Sequence, residues 1–256
     1  MAHVIAVAGK GGVGKTSLTG LLIQNLCRKG KQPLLAVDAD ANSNLNEVLG
    51  VEVKETLGDI REELERAGMD MNSKIPANMS KQDYLEMRLS DALAEEDDFD
   101  LMVMGRTQGE GCYCFVNGLL QTQIQKLQYN YPYIVVDNEA GMEHLSRGIL
   151  PKIDTLILVS DCSRRGVQAA GRISRLAAEL RMQPKTMGLI VNRAPQGKLD
   201  AGTEEEIQKQ GLKLLGVIPQ DDTVYHYDCD GRPLVELPDD NPVRQAMNQV
   251  IESLGL

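Results

Sequence analysis

The stretch GKGGVGKTS, residues 9–17, decides how the rest of the chain is read. Gly9, Gly14, Lys15 and Thr16 match the phosphate-binding pattern G-x-x-x-x-G-K-T. Glycines let successive backbone N–H groups turn toward one anion, and a following helix adds its positive N-terminal end. Lys15 then reaches the β and γ phosphates of a nucleoside triphosphate, and the Thr16 hydroxyl meets Mg²⁺. Gly11, Gly12, Val13, Gly14, Lys15, Thr16 and Ser17 form the expected nucleotide-binding loop.

The pattern acquires meaning only between a strand and a helix. HVIAVA (3–8) precedes it, and residues 15–29 follow with helical period. Further out, short β-branched runs at 33–38, 100–105, 133–137, 155–160, 187–192 and 214–219 alternate with helical stretches at 81–95, 114–129, 164–181 and 242–253. That alternation predicts an α/β fold, and near-continuous apolar strands predict burial on both sheet faces. The expectation is a P-loop NTPase: one domain over 1–256, with a mostly parallel, twisted sheet of about seven or eight strands and helices on both faces.

Two further segments fall where such a fold gathers its ligands, at the C-terminal ends of strands. VDADANSNL (37–45) places Asp38 and Asp40 there, and IVVDNEAG (134–141) places Asp137. A strand ending in Asp is often only a cap for the next helix. Three carboxylates converging on a phosphate loop instead favour metal and water work, so Asp38 and Asp137 are expected to join Thr16 in holding Mg²⁺ through waters. Asp40 is expected to orient the attacking water.

Composition excludes several classes. Apolar residues at 42% and charged residues at 25% are ordinary for a globular chain. A net charge of −10 disfavours nucleic acid as a partner, since the surface repels phosphate backbones. No N-terminal leader pattern and no apolar run near the roughly 18 residues of a spanning helix are present, so a cytoplasmic location is expected. The acidic run EEDD (95–98) and the stretch DIREELERAG (59–68) read as solvated faces. The C-terminal stripe Val243, Met247, Val250 and Leu254 has one Arg and one Glu around it, which predicts docking on the sheet rather than on a membrane.

Five cysteines, at 27, 112, 114, 162 and 229, do not make a disulfide framework. Cys27 lies in an apolar helix and reads as core, while Cys162 and Cys229 carry no assignment. In GEGCYC (109–114) the pair Cys112 and Cys114 admits a redox pair, plain packing or half of a metal site.

Lys10 is not required by the plain phosphate-loop pattern. KGGVGKT resembles the deviant P-loop of the dimeric ATPases that include the nitrogenase iron protein, the cell-division and plasmid-partition ATPases and metallocluster-assembly ATPases. That resemblance implies that Lys10 reaches across a nucleotide-sandwiched homodimer to the partner's phosphates, joining Lys15 and Asp40 in catalysis. Taken together, GKGGVGKTS, DADANSNL, MGRTQGEGCYC, DNEAGMEHLSR and VNR (191–193) resemble the nickel-insertion ATPases that mature carbon monoxide dehydrogenase and acetyl-CoA synthase. This implies ATP or ADP with Mg²⁺ as cofactors, one of those enzymes as client, and Asn192 and Arg193 near the adenine with Pro219 and Asp221 of IPQD alongside. His144, in DNEAGMEHLSR, reads as a packed histidine.

Thiolates are soft ligands, and a closed site usually takes four of them. A C-x-C pair supplies two, and a two-fold interface would bring two copies of Cys112 and Cys114 to one axis as an S₄ site for Ni²⁺ or Zn²⁺. The glycine-rich turn lets both sulfurs face one way, which a regular strand forbids. If Cys114 opens the following helix, the helix N-terminus favours its thiolate. An iron–sulfur carrier and a membrane- or DNA-associated positioning ATPase are the rival expectations.

Overall fold

Alternation along the first strand explains the layering. In β1 (His3–Gly9), Val4, Ala6 and Ala8 enter one core cluster while Ile5 and Val7 enter another, because successive strand side chains point to opposite faces. The strand is therefore covered on both sides. The computed structural model describes residues 2–69, 75–76, 78–106, 114–141, 150 and 152–256.

Among these residues eight strands form one sheet in the order β3-β4-β2-β5-β1-β6-β7-β8. The remaining strands are β2 (Leu34–Ala39), β3 (Leu93–Glu95), β4 (Phe99–Val103), β5 (Tyr133–Asn138), β6 (Thr155–Ser160), β7 (Thr186–Ala194) and β8 (Leu214–Pro219). All neighbours run parallel except β3 and β4. The register sets Asp38 of β2 opposite Asp137 of β5, and Asp137 opposite Val7 of β1. Both carboxylates thus stand beside the end of the strand that leads into the phosphate loop.

Helices cover both faces. One cluster takes Leu57 and Ile60 of α3 (Leu57–Met69), Leu89 of α4 (Lys81–Asp91), Val116 and Leu120 of α5 (Cys114–Leu127), Val167 and Ile173 of α6 (Arg164–Glu179), and Ile207 of α7 (Ala201–Lys209). The other takes Leu22 and Leu26 of α1 (Lys15–Arg28), Leu45 of α2 (Leu45–Leu49), Tyr227 of α8 (Asp222–Cys229), and Val243, Met247 and Val250 of α9 (Pro242–Ser253). The stripe on α9 is buried in this second layer against β8, with Leu254 packed beside it, as its pattern led us to expect. The three-layer α/β P-loop architecture is the one predicted.

Local boundaries differ in two places. The helical stretch expected over 81–95 ends at Asp91, and Leu93–Glu95 becomes a strand antiparallel to β4. Leu93 lies opposite Met102, so pairing with a strand outside the segment overrides the local period. Of EEDD, Glu95 ends β3 and residues 96–98 form the exposed connection between these strands. The strand expected to reach residue 105 stops at Val103, and Gly105 turns the chain at φ 69°.

Candidate active site

The phosphate loop needs its glycines for two separate reasons. A Cβ on Gly9 would lie 2.3 Å from the Val159 carbonyl oxygen, so strand β6 can approach only a glycine. Gly14 sits at φ 88°, and a Cβ there would meet Asn192 Nδ2 at 2.4 Å. Helix α1 begins immediately after, with no side-chain cap and no acidic residue in its first turn. Its first amides remain free for an anion, which the helix dipole also favours.

Lys15 is buried, and its ammonium reaches the Lys10 carbonyl at 3.5 Å, arching over the loop. Lys10 is exposed. Val13 buries its side chain in the core, while its carbonyl accepts a hydrogen bond from Asn192 Nδ2 at 2.9 Å. Arg193 donates to the Gly12 carbonyl at 3.1 Å, from a backbone held at φ 57°. Asn192 and Arg193 therefore brace the phosphate loop from the end of β7, a task not foreseen from the sequence.

Asp38 and Asp137 are fully buried. Asp38 accepts the amides of Asp40 and Leu45, both at 3.0 Å, and so folds the 39–44 loop into α2. Burial pushes its carboxyl up to about 6 against those two amides. Asp137 accepts from Thr19 Oγ1 at 3.3 Å, with the Thr16 hydroxyl beside it. Burial pushes it up to about 7; the Asp38 carboxylate adds to the rise, and the Thr16 and Thr19 hydroxyls and the Lys15 charge oppose it. Asp40 is half-buried, with Oδ1 accepting the Asn42 amide at 2.8 Å. Two buried carboxylates beside a threonine hydroxyl are hard oxygen donors, a set that fits Mg²⁺.

Two adjoining cavities open at this end of the sheet. One, of about 520 Å³, is lined by the phosphate loop together with Asp40 and Asn44. The other, of about 660 Å³, is lined by apolar Leu18, Leu21, Pro219 and Val224 with Asn192 and Asp221 among them. Ser17 and Arg193 face both. A polyphosphate suits the first cavity and a planar base the second. Asp221 also caps α8 through the Val224 amide at 3.1 Å, and α8 with the turn after it supplies the outer wall.

The model of the CobQ/CobB/MinD/ParA nucleotide binding domain matches residues 4–234. The chain belongs to this family of ATPases. An uncharacterized ATP-binding protein of Methanocaldococcus jannaschii is 42% identical over 98% of both chains. The carbon monoxide dehydrogenase accessory protein CooC of Rhodospirillum rubrum is 30% identical, over 91% of this chain and 89% of its own length. Among solved structures, the septum site-determining protein MinD of Pyrococcus horikoshii, complexed with Mg-ADP, superposes with a TM-score of 0.74 at 23% identity, covering 99% of this chain and 96% of that one. The shared fold is the P-loop ATPase fold derived above.

Cys112 and His144 lie outside the described residues, and of Cys114 the structure describes only that it opens α5. Among the described residues no group of three or more His, Cys, Asp or Glu is arranged to hold a metal ion. Cys27 is core, its thiol pushed up to about 11 by burial. Cys162 is half-buried, 3.7 Å from the Arg193 carbonyl, and Cys229 is exposed.

Proposed function

We propose that this ATPase is a cytoplasmic metallochaperone, acting as a nucleotide-dependent homodimer that binds Ni²⁺ or Zn²⁺ between two Cys112/Cys114 pairs. Its client would be carbon monoxide dehydrogenase or acetyl-CoA synthase. The observation that carries the reading is a hydrogen bond between the loop beside the phosphate site and the residue that precedes the cysteine segment. Arg106 stands at the head of the segment that contains both cysteines, and its guanidinium donates to Asn42 Oδ1 in the loop that holds Asp40. The 30% identity to a carbon monoxide dehydrogenase accessory protein supports the same reading.

In this mechanism the phosphate-loop amides, Lys15 and the α1 N-terminus hold the polyphosphate, while Asn192, Arg193, Pro219 and Asp221 border the base. Thr16, Asp38 and Asp137 would hold Mg²⁺, which when bound neutralises charge on the β and γ phosphates. Asp38 keeps both oxygens on backbone amides, so it acts through water. Asp40 orients the attacking water, and Lys10, exposed at the loop's tip, reaches the partner's nucleotide. A change in the 39–44 loop between ATP and ADP would pass through Asn42 and Arg106 to the cysteine segment, and so change metal affinity between two states.

Anaerobic titration with Ni²⁺, with and without ATP, tests the reading. One nickel per dimer, responsive to nucleotide and lost in Cys112→Ser with ATPase intact, is the expected result. An iron–sulfur chromophore after reconstitution would point to a cluster carrier instead. A positioning ATPase is the second reading, favoured by the septum site-determining protein MinD of Bacillus subtilis at 26% identity over 92% of this chain. Among the described residues no helix is long and apolar enough to cross a membrane. The α9 stripe is covered by β8, so co-sedimentation with liposomes would need another surface.

A further inference from the structure

The stretch after α8 carries an arginine that the nucleotide site described so far does not use. The chain reverses at Gly231, φ 66°, and the Arg232 amide donates to the Tyr227 carbonyl at 2.8 Å. The side chain folds back with it. Its guanidinium carbon lies 3.9 Å from the centre of the Tyr227 ring, and Nη2 donates to the Tyr227 hydroxyl at 3.0 Å. Tyr227 is itself buried, so stacking and hydrogen bond together fix the plane of the guanidinium.

Arg232 lines the phosphate-side cavity with Gly11, Gly12, Gly14, Lys15 and Thr16. Its loop is pinned there, because Pro233 packs so closely on Gly50, at the end of α2, that a Cβ would come within 2.9 Å of Pro233 Cγ. The other cations lining this cavity are Lys15, which is buried in the loop, and Arg193, which is bonded to the Gly12 carbonyl. Asp40, Glu47 and Asp228 line it as well, so an incoming polyphosphate meets carboxylates that need offsetting. The Arg232–Glu236 pair, 3.5 Å apart between half-exposed side chains, contributes little and leaves the guanidinium available.

We propose that Arg232 is a further phosphate-binding residue of the nucleotide site, acting in cis on the polyphosphate of its own protomer's nucleotide. A planar guanidinium held on an aromatic face is preorganised for two-pronged contact with phosphate oxygens. This separates it from Lys10, whose expected target is the partner's nucleotide.

The test uses the full chain and three probes: ATP as substrate, and tripolyphosphate and adenosine as competitive inhibitors. In Arg232→Ala and Arg232→Gln the KM for ATP and the inhibition constant of tripolyphosphate should both rise about tenfold, the size of one charge-assisted contact, while the adenosine constant stays put. Arg232→Lys, which keeps charge without the planar fork, should recover part of the loss. A tripolyphosphate constant unchanged in Arg232→Gln would overturn the proposal. So would a parallel weakening of adenosine, because that would show the wall itself had been lost.

Discussion

The phosphate loop, residues 9–17, and the wall opposite it, residues 219–241, close on the same pair of cavities by different means. In the loop almost every residue has a chemical duty at a fixed spacing: glycines for close approach, Lys15 for charge, Thr16 for the metal. In the wall the positions come from caps and packing: Asp221 starts α8, Tyr227 fills the core, Pro233 leans on α2. A residue that acts through its own chemistry cannot be replaced without losing the reaction. One that acts through placement should give graded losses.

The largest effect therefore belongs to Lys15→Ala. Phosphate release at saturating Mg-ATP should fall by about a thousandfold or more, as when a principal transition-state charge is removed, with the fold intact by circular dichroism. A wall substitution with an equal loss in kcat would break the comparison. Gly14→Ala comes next and acts through geometry instead. A side chain at φ 88° pressed against Asn192 Nδ2 should cost about 3 kcal/mol in denaturant unfolding and abolish nucleotide binding. Adding Asn192→Ala should return only the part due to the clash.

Asp137 sharpens the contrast through pH. Its carboxyl, ordinarily near 3.8, is pushed up to about 7 by burial. Between those values the folded state holds a proton that the unfolded state has released, so stability falls as pH rises across the window. Asp137→Asn cannot ionise. In buffer without nucleotide or divalent cation it should be about 1–3 kcal/mol more stable than the parent at pH 8, with the gap closing toward pH 4. A gap that widened on acidification would mean the carboxylate is favoured in the fold, contrary to its burial.

The same division accounts for what could be read in advance. The phosphate loop announces its strand, helix and anion, and the polarity it imposes on the sheet makes Asp38 and Asp137 legible as strand-end carboxylates. β3 was invisible because three residues, Leu93–Glu95, become a strand only by pairing with β4, while their apolar spacing continues the helix before them. Helix α8, with the sequence DTVYHYDC, shows no apolar period, and Asp221 as its cap was its one local sign. Asn192, expected at the base, lines that cavity, and its amide nitrogen also holds the Val13 carbonyl. That hydrogen bond spans 179 positions, beyond the reach of any local pattern.

The smallest effect lies in the wall, where placement can be measured without touching chemistry. Asp221 Oδ1 accepts both the Val224 amide and Asn241 Nδ2 at 3.1 Å, and Asn241 Oδ1 in turn caps α9 through the Val243 amide at 2.9 Å. One carboxylate thus ties the starts of two helices to the end of β8. Asp221→Ala and Asn241→Ala should each cost about 1 kcal/mol, the usual loss of a helix cap. Because the two side chains also bond each other, the double variant should cost less than the sum by about 0.5 kcal/mol. Asp221 borders the base-side cavity, so its loss should also raise the KM for ATP about threefold while kcat holds. Strict additivity would mean that the caps act separately and that the wall is positioned by its apolar contacts alone.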